Sequence, residues 1–229
     1  MIKIEHLETA GWEAAIRGMR NPMNSWGKSD TLMDYGSEFR NTVNVLGDFS
    51  DGPDAYISGP FRPIGRNGVA LHLGRNDSDL MSRLNKGGPV HAKYRRMITV
   101  WCDITAPLYW WKEMDTYKIG TVANSCSTMH KLGAKKFELE DFSCEHMYTE
   151  ADGVPDHAEQ ITLIVLKSII ANLNYMREEW LESDKKNKRT WYNIIQLLPS
   201  SYNQRRTVEL NYEVLAGIYK IGRASCRER

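Results

Sequence analysis

Long apolar runs and clustered cysteines are both missing from this sequence. The best apolar run, Ile161 to Leu166, is far shorter than the roughly 20 residues that a membrane-spanning helix needs. The N-terminus lacks the charged head and apolar stretch of a signal peptide. The four cysteines are irregularly spaced with no CxxC pair, which favours reduced thiols over a disulfide framework. We therefore expect a cytoplasmic protein that makes no contact with a membrane.

A surplus of charge of either sign is also missing. The 30 basic and 29 acidic residues give a formal net charge of +1, so no overall field would draw the protein to nucleic acid. Neither a phosphate-cradling glycine loop nor a dinucleotide fingerprint is present. The pairs Cys126–His130 and Cys144–His146 lack the four-ligand spacing of zinc sites. We expect no nucleic-acid partner and no metal, so that any anion site depends on local clustering.

Apolar residues follow two different periods along the chain. From His157 to Ser183 they recur at helical spacing, and from Tyr94 to Thr105 they alternate with polar residues as in a strand. Because 41% of the 229 residues are hydrophobic and 26% are charged, we expect a single globular α+β domain over residues 1–220. Residues 24–70 are expected to be mostly loop. Further helices are expected at Trp12–Met19, Ser78–Lys86 with Asp77 as N-cap, 107–114, Thr190–Leu197 and Tyr212–Lys220, and further strands at Ile2–Glu5 and Arg205–Leu210.

The last nine residues, 221–229, do not continue the preceding pattern. They are rich in arginine, carry no periodic apolar residue after Ile221, and match one reading frame of a common sequencing adapter. We therefore expect the native sequence to depart from this one after about Lys220, and the helix that begins at Tyr212 to be cut short there. A natural basic tail is the alternative interpretation.

An aromatic helix near Trp110 leads into a run of hydroxyl, amide and thiol groups. Such a run can hydrogen-bond a pyrimidine edge, a phosphate or a flavin ring, and its small side chains expose backbone N–H groups to a ligand. The alternative is a polar turn that caps a core helix. The polar residues of the run are Thr121, Asn124, Ser125, Cys126, Ser127 and Thr128.

Adjacent arginines provide the second candidate site. Arg205 and Arg206 stand among hydroxyl groups and can hold a nucleotide phosphate through forked, charge-assisted hydrogen bonds. The alternative is a solvated charge pair on an edge strand. Arg95–Arg96 on the expected earlier strand carries the same ambiguity, and neighbours in a strand point to opposite faces. His91, in the loop before that strand, can contact a ligand or be merely structural.

These segments, in this order, resemble the flavin-dependent thymidylate synthases. The likeness runs from Asp77 to Leu132 and resumes from Leu198 to Leu215. It implies an α+β fold with a curved, mainly antiparallel sheet packed with long helices, and a homotetramer. It also implies methylation of deoxyuridine monophosphate (dUMP) with methylenetetrahydrofolate, reduced FAD as hydride source and NADPH as reductant of the flavin.

The resemblance also assigns roles to residues, with several departures from the family pattern. The family signature begins Arg-His-Arg, where this chain has Thr116, Tyr117 and Lys118. The implied roles are catalysis for Lys118 and Thr121, flavin contact for His91, Asn124, Ser125 and Cys126, and substrate contact for Arg205, Ser127 and Thr128. The lost arginines leave two alternatives open: a non-catalytic nucleotide-binding or scaffold protein on the same fold, and a phage enzyme that hydroxymethylates a pyrimidine nucleotide.

Overall fold

The structure, a computed structural model, describes residues 2–34, 70–117, 119–128, 131–147 and 159–227. The strands are β1 (Lys3–Ala10), β2 (Leu32–Asp34), β3 (Ala70–His72), β4 (Thr99–Pro107), β5 (Val122–Ser125) and β6 (Asn203–Asn211). The α-helices are α1 (Trp12–Arg20), α2 (Arg75–Lys86), α3 (Leu108–Met114), α4 (Glu159–Glu182), α5 (Lys188–Leu197) and α6 (Tyr212–Arg227). None of the helices in these residues is long and apolar enough to cross a membrane.

Four of these strands form an antiparallel sheet in the order β1-β4-β6-β5. Along β4 the side chains alternate between buried and half-buried, because Val100, Cys102, Ile104 and Ala106 point into the core. β2 and β3 form a separate antiparallel pair in which Met33 lies opposite Leu71. The predicted combination of helices with an antiparallel sheet is therefore confirmed.

The chain divides into two compact units, which we name after a helix in each. The α1 unit comprises residues 6–102, 119–122 and 208–229, and the α4 unit comprises residues 1–5, 103–118 and 123–207. Each unit has its own cluster of buried apolar side chains. The prediction of one domain over residues 1–220 stays a prediction.

The core of the α1 unit is built on one face of helix α1. Trp12, Ile16 and Met19 recur at helical spacing and are all buried. Tyr212, the first residue of α6, meets the Trp12 ring edge-to-face with 5.1 Å between the ring centroids. Gly11 precedes the helix at φ +89°, and a Cβ there would lie 2.0 Å from the Met97 carbonyl oxygen, so only glycine suits this position.

Asp77 is not the N-cap of α2 that the sequence predicts, but a fully buried acceptor inside the α1 unit. Its Oδ1 accepts from Arg20 Nε at 2.6 Å, which makes a buried ion pair. The N-cap of α2 is Gly74, and the capping oxygens come from Asp30, whose carboxylate accepts from the backbone N–H groups of Asn76 and Asp77. A distant carboxylate therefore replaces the expected local cap.

The core of the α4 unit lies where α4 packs on α5 and on the segment 132–142. Trp180 of α4 stacks on Trp191 of α5 with 4.4 Å between the ring centroids. The buried Asn174 side chain accepts from Phe137 N at 2.8 Å and donates to Phe137 O at 2.9 Å. The Asn174 amide thus fixes the segment against α4, because it satisfies both buried backbone groups of Phe137. The ring of Phe137 also contacts Tyr202, and burial raises the pKa of Tyr202 to about 12.

Several predicted elements differ from those in the structure, among them the first strand, which was expected at Ile2–Glu5 and extends to Ala10. The strand expected from Tyr94 begins only at Thr99, because Lys93–Met97 is a 3-10 helix. The polar run after Gly120, for which the structural alternative was a polar turn that caps a helix, contains strand β5. Helix α6 continues to Arg227 instead of ending near Lys220. The origin of residues 221–229 stays a prediction, and most of the loop expected over residues 24–70 lies outside the described residues.

Candidate active site

Strand β6 sends its two neighbouring arginines to opposite faces of the sheet. Gln204, Val208 and Leu210 are buried, whereas Arg205 and Thr207 on the alternate positions are exposed. This is the period-two alternation of a strand with one face on a core. The two arginines of the Arg205–Arg206 pair therefore cannot serve the same side of the sheet.

On the exposed face, Arg205 is held by Asp103 of the neighbouring strand β4. Arg205 Nη2 donates to Asp103 Oδ2 at 2.6 Å, and Thr207 Oγ1 donates to the other carboxylate oxygen. The Arg205 side chain is 51% exposed and that of Asp103 only 16%. Hydrogen bonding to the Asp103 carboxylate, with its charge, raises the pKa of Arg205. Arg205 is thus a permanent cation that is oriented across the strands and half exposed.

On the opposite face, Arg206 has a structural role. Its guanidinium lies 4.2 Å from the centroid of the buried Trp111 ring, a cation–π arrangement. Its Nη1 donates to Asp115 Oδ1 at 2.7 Å, and its Nε donates to Gln204 Oε1 at 2.9 Å. Trp111 Nε1 in turn donates to the Gln204 carbonyl oxygen at 2.9 Å. Arg206 therefore joins helix α3 to β6 and is not available to a ligand.

The polar run after Gly120 joins the sheet next to these arginines. Cys126 N donates to the Arg205 carbonyl oxygen at 3.1 Å, and Gln204 Nε2 donates to the Cys126 carbonyl oxygen at 2.8 Å. Asn124, Ser125 and Cys126 are exposed, since β5 is the last strand of the sheet. Edge strands present unpaired backbone N–H and C=O groups. This stretch offers amide, hydroxyl and thiol groups together with backbone donors and acceptors.

Ser127 and Thr128 follow this stretch and are half-buried. The Ser127 carbonyl oxygen accepts from Lys131 N at 3.1 Å. Both residues belong to the same unit as Arg205 and Cys126.

Gly120 and Thr121 belong to the α1 unit. Gly120 has φ +69°, and a Cβ there would lie 2.5 Å from Asn211 Nδ2. The same amide nitrogen donates to the Gly120 carbonyl oxygen at 3.5 Å, while Asn211 Oδ1 accepts from Val214 N at 3.0 Å as the N-cap of α6. Asn211 thus connects the start of the polar run to the first turn of α6.

His91, the other predicted flavin contact, lies in the α1 unit just after α2. It is exposed, and its backbone N–H donates to the Gly88 carbonyl oxygen at 3.1 Å. A Cβ on Gly87 would lie 3.0 Å from His91 Cδ2, so the imidazole rests on the end of the helix. An exposed ring in this position can contact a ligand without rearrangement of the fold.

Of the three residues that replace Arg-His-Arg, Thr116 has a local role. Its Oγ1 donates to the Glu113 carbonyl oxygen at 2.7 Å at the end of α3. Lys118 lies outside the described residues, as does His130. Among the described residues no group of three or more His, Cys, Asp and Glu side chains is arranged to hold a metal ion.

Two solved structures of thymidylate synthase X from Helicobacter pylori, both with FAD and dUMP, are similar to this chain. One is 15% identical with a TM-score of 0.53, and the match covers 94% of this chain and 80% of that one. The other is 15% identical with a TM-score of 0.52, and the match covers 93% and 80% of the two chains. This chain has the fold of the flavin-dependent thymidylate synthases.

The thymidylate synthase fold confirms the α+β architecture that the resemblance implies. No protein-family model and no curated protein matches the sequence. At this identity the likeness concerns the fold, so the roles of individual residues rest on the geometry of this chain.

The predicted site residues are distributed over both units, and their roles stay predictions. Arg205 and the stretch 124–128 lie in the α4 unit, whereas His91 and Thr121 lie in the α1 unit. Sequence reasoning missed Asp103 and Gln204, the two side chains that fix Arg205 and the Cys126 backbone. The alternation in β4 was a usable signal for Asp103, because it puts every second residue from 99 to 105 on the less buried face.

Proposed function

We propose that this protein is a divergent flavin-dependent thymidylate synthase that methylates a pyrimidine nucleotide, with dUMP as the leading substrate. In this proposal methylenetetrahydrofolate donates the carbon, FAD is the cofactor, and NADPH is its reductant. The supporting observation is the fold shared with two structures that contain FAD and dUMP, combined with an exposed, oriented arginine on strand β6. The proposal includes a homotetramer that acts in the cytoplasm.

Arg205 is the residue that we propose for binding the nucleotide. Its hydrogen bond to Asp103 uses one of five guanidinium donors, which leaves a forked pair for a phosphate or for the carbonyl edge of uracil. Asp103 preorganises the guanidinium, so less side-chain freedom is lost when the ligand binds. Lys118 is proposed as a second cation, and Ser127 and Thr128 as neutral partners of the substrate.

The stretch Asn124 to Cys126 has a donor set that fits a flavin ring. The ring carries an imide edge with carbonyl acceptors and an N–H donor, which match the amide, hydroxyl and edge-strand backbone groups exposed here. His91 is proposed as a further flavin contact and Thr121 as a catalytic hydroxyl. When bound, FAD supplies the hydride, while the chain's own residues orient the flavin ring and the pyrimidine.

A nucleotide-binding protein without the redox step is the second candidate function. It is favoured by Thr116, whose hydroxyl donates to the Glu113 carbonyl oxygen where the family signature has an arginine. The loss of that arginine removes one charge-assisted hydrogen bond, worth about 1.5–3 kcal/mol, from the set that the family signature implies for the synthase. The hydroxymethylating alternative shares the fold but not the redox step, because water adds to the transferred carbon and no hydride is consumed.

Calorimetric titration with dUMP tests the role of Arg205. Arg205→Gln is expected to weaken binding by about 10- to 100-fold, because a charge-assisted hydrogen bond contributes about 1.5–3 kcal/mol. Arg189→Gln is the matched control, since it makes the same charge change at an exposed position on α5. Equal affinity of the two variants for dUMP would show that Arg205 does not bind the nucleotide.

Flavin uptake and turnover separate the candidate functions. The synthase hypothesis predicts a visible flavin absorbance band after purification or after addition of FAD, and release of tritium from the pyrimidine 5-position. Binding of dUMP by a protein that takes up no flavin would favour the non-redox function and end the synthase hypothesis. The mass of the product distinguishes a methyl from a hydroxymethyl group, and sedimentation tests the tetramer.

A further inference from the structure

A cavity of about 290 Å³ lies in the α1 unit, beside helix α1. Four of its lining residues occupy positions 13, 16, 17 and 20 of the helix, a spacing that puts them on one helical face. The remaining lining residues come from the segment that follows the helix. The lining comprises Glu13, Ile16, Arg17, Arg20, Trp26, Ser29 and Thr31.

The wall of this cavity contains a buried donor without an acceptor. Arg20 is only 4% exposed; its Nε donates to Asp77, and its Nη1 donates to the Ser25 carbonyl oxygen at 3.2 Å. Its Nη2 is buried and has no hydrogen-bond partner among the described residues. Buried polar groups in native proteins are nearly always satisfied, so this donor marks the wall as a place where an acceptor is missing.

The mouth of the cavity combines a rigid aromatic ring with free charges. Trp26 is 50% exposed, and its Nε1 donates to Asn21 Oδ1 at 2.7 Å, which fixes the orientation of the indole. Arg17 and Glu13 are exposed and form no ion pair or hydrogen bond within the described part of the chain. The ring offers a stacking face, Arg17 a cation and Glu13 an acceptor for an N–H group.

Ser29 and Thr31 complete the chemistry of the lining. Both hydroxyl groups donate to Asp77 Oδ2 at 2.7 Å, so toward the cavity they can only accept. Among the side chains of the lining, the exposed donors available to a ligand are therefore those of the Arg17 guanidinium. An oxyanion, a carboxylate or a phosphate, matches forked guanidinium donors best.

We propose that this cavity is a binding site for a small planar ring that carries one oxyanion group. The ring stacks on Trp26, and the oxyanion binds the exposed guanidinium of Arg17, with the incompletely hydrogen-bonded Arg20 in the wall beside it. The volume is at the lower end of the range of small-molecule sites, which suits a one- or two-ring compound. This site is built entirely from residues of the α1 unit, and the proposal does not depend on the proposed synthase activity.

Titration of the full-length protein tests the proposal with two probes, benzoate for the carboxylate and adenosine monophosphate for the phosphate. Adenosine and inorganic phosphate, each half of the second probe, serve as partial ligands. At least one complete probe is expected to bind with one site per chain. The half-ligands are expected to bind about tenfold or more weakly, because each lacks either the ring or the oxyanion.

Arg17→Gln and Trp26→Leu are each expected to weaken binding of that probe by about tenfold or more. Arg189→Gln on α5, with the same charge change, is expected to leave it within about twofold. Circular dichroism verifies folding, and if one variant fails to fold the other still decides the outcome. Failure of both probes to bind, or equal binding by wild type, Arg17→Gln and Trp26→Leu, would overturn the proposal.

Discussion

Replacement of the buried Asp77 carboxylate is the sharpest test of how the α1 unit is held together. Asp77 Oδ1 accepts from Arg20 Nε at 2.6 Å, and Oδ2 accepts from the Ser29 and Thr31 hydroxyls at 2.7 Å each. The backbone N–H groups of Asp30 and Thr31 donate to the same oxygen at 3.2 and 3.1 Å. Asp77→Asn removes the charge that all of these donors face.

The expected loss of stability follows from what the substitution leaves behind. Arg20 stays buried without its counter-charge, and breaking a buried ion pair on one side costs about 3–5 kcal/mol. Domains are stable by about 5–15 kcal/mol, so this is a large fraction of the total. For a chain of this size a loss of 1 kcal/mol lowers Tm by about 2–4 °C, which gives an expected decrease of about 6–20 °C.

Denaturant unfolding of Asp77→Asn, with Asp79→Asn as the control variant, measures this loss of stability. Asp79 is exposed on the same helix, so its variant makes the same charge change without touching the buried pair. The variant Arg20→Met/Asp77→Asn should lose less stability than the sum of the two single substitutions, since no uncompensated charge is then left. If the free energy of unfolding of Asp77→Asn is within about 1 kcal/mol of that of Asp79→Asn, the ion pair does not stabilise the unit as argued.

The same carboxylate predicts a dependence of stability on pH. Burial by itself raises the pKa of Asp77, but hydrogen bonds from Thr31, Ser29 and Arg20 together outweigh burial, and the pKa is lowered. The contribution of Asp77 is therefore complete above its unfolded pKa of about 3.9 and is lost as the pH falls through the lower folded value. Urea midpoints at pH values from about 2 to 6 should fall less steeply on acidification in Asp77→Asn than in the wild type.

Two further substitutions test local geometry by chemical denaturation. Gly120→Ala puts a Cβ 2.5 Å from Asn211 Nδ2 at φ +69° and should cost about 1–2 kcal/mol or more, whereas Gly27→Ala, with no atom within 4 Å, should change stability by under about 0.5 kcal/mol. Asn174→Ala leaves the buried N–H and carbonyl of Phe137 without hydrogen-bond partners, which should lower the free energy of unfolding by about 1–3 kcal/mol for each group. Asn172→Ala, at an exposed position, should be nearly neutral. Matching losses within either pair would contradict the contacts described here.

The sequence was most informative where an apolar stripe has a single period. Helix α1 begins at Trp12 as predicted and ends one residue later than predicted, because its buried residues recur at helical spacing. The predicted start of β4 was wrong because of two buried residues that lie four positions apart. Tyr94 belongs to the 3-10 helix, and Ile98 directly follows it. The same two positions also satisfy an every-second-residue pattern, so burial alone cannot separate the two structures.

Strand β5 shows the opposite case, an element with no apolar pattern to detect. All four of its side chains are exposed, and it is defined by backbone pairing at the edge of the sheet. Asp77 shows a third case, in which the position is typical of a helix cap but the partner, Arg20, is 57 residues away. Such long-range pairing leaves no local signal in the sequence. The buried Arg20–Asp77 ion pair was therefore not predicted.

The candidate site depends on the same distinction between local pattern and partner. Arg205 and Arg206 are chemically identical neighbours, yet the pleat of β6 directs one to solvent and the other onto Trp111. The alternation of the two side chains could be deduced from the sequence. Which arginine stays available depends on their partners, because Asp103 leaves Arg205 half exposed, whereas Asp115 and Gln204 hold Arg206 on the other face. Of these two arginines only Arg205 is available to an anion that approaches the sheet, so the contribution of the pair to recognition depends on that single cation.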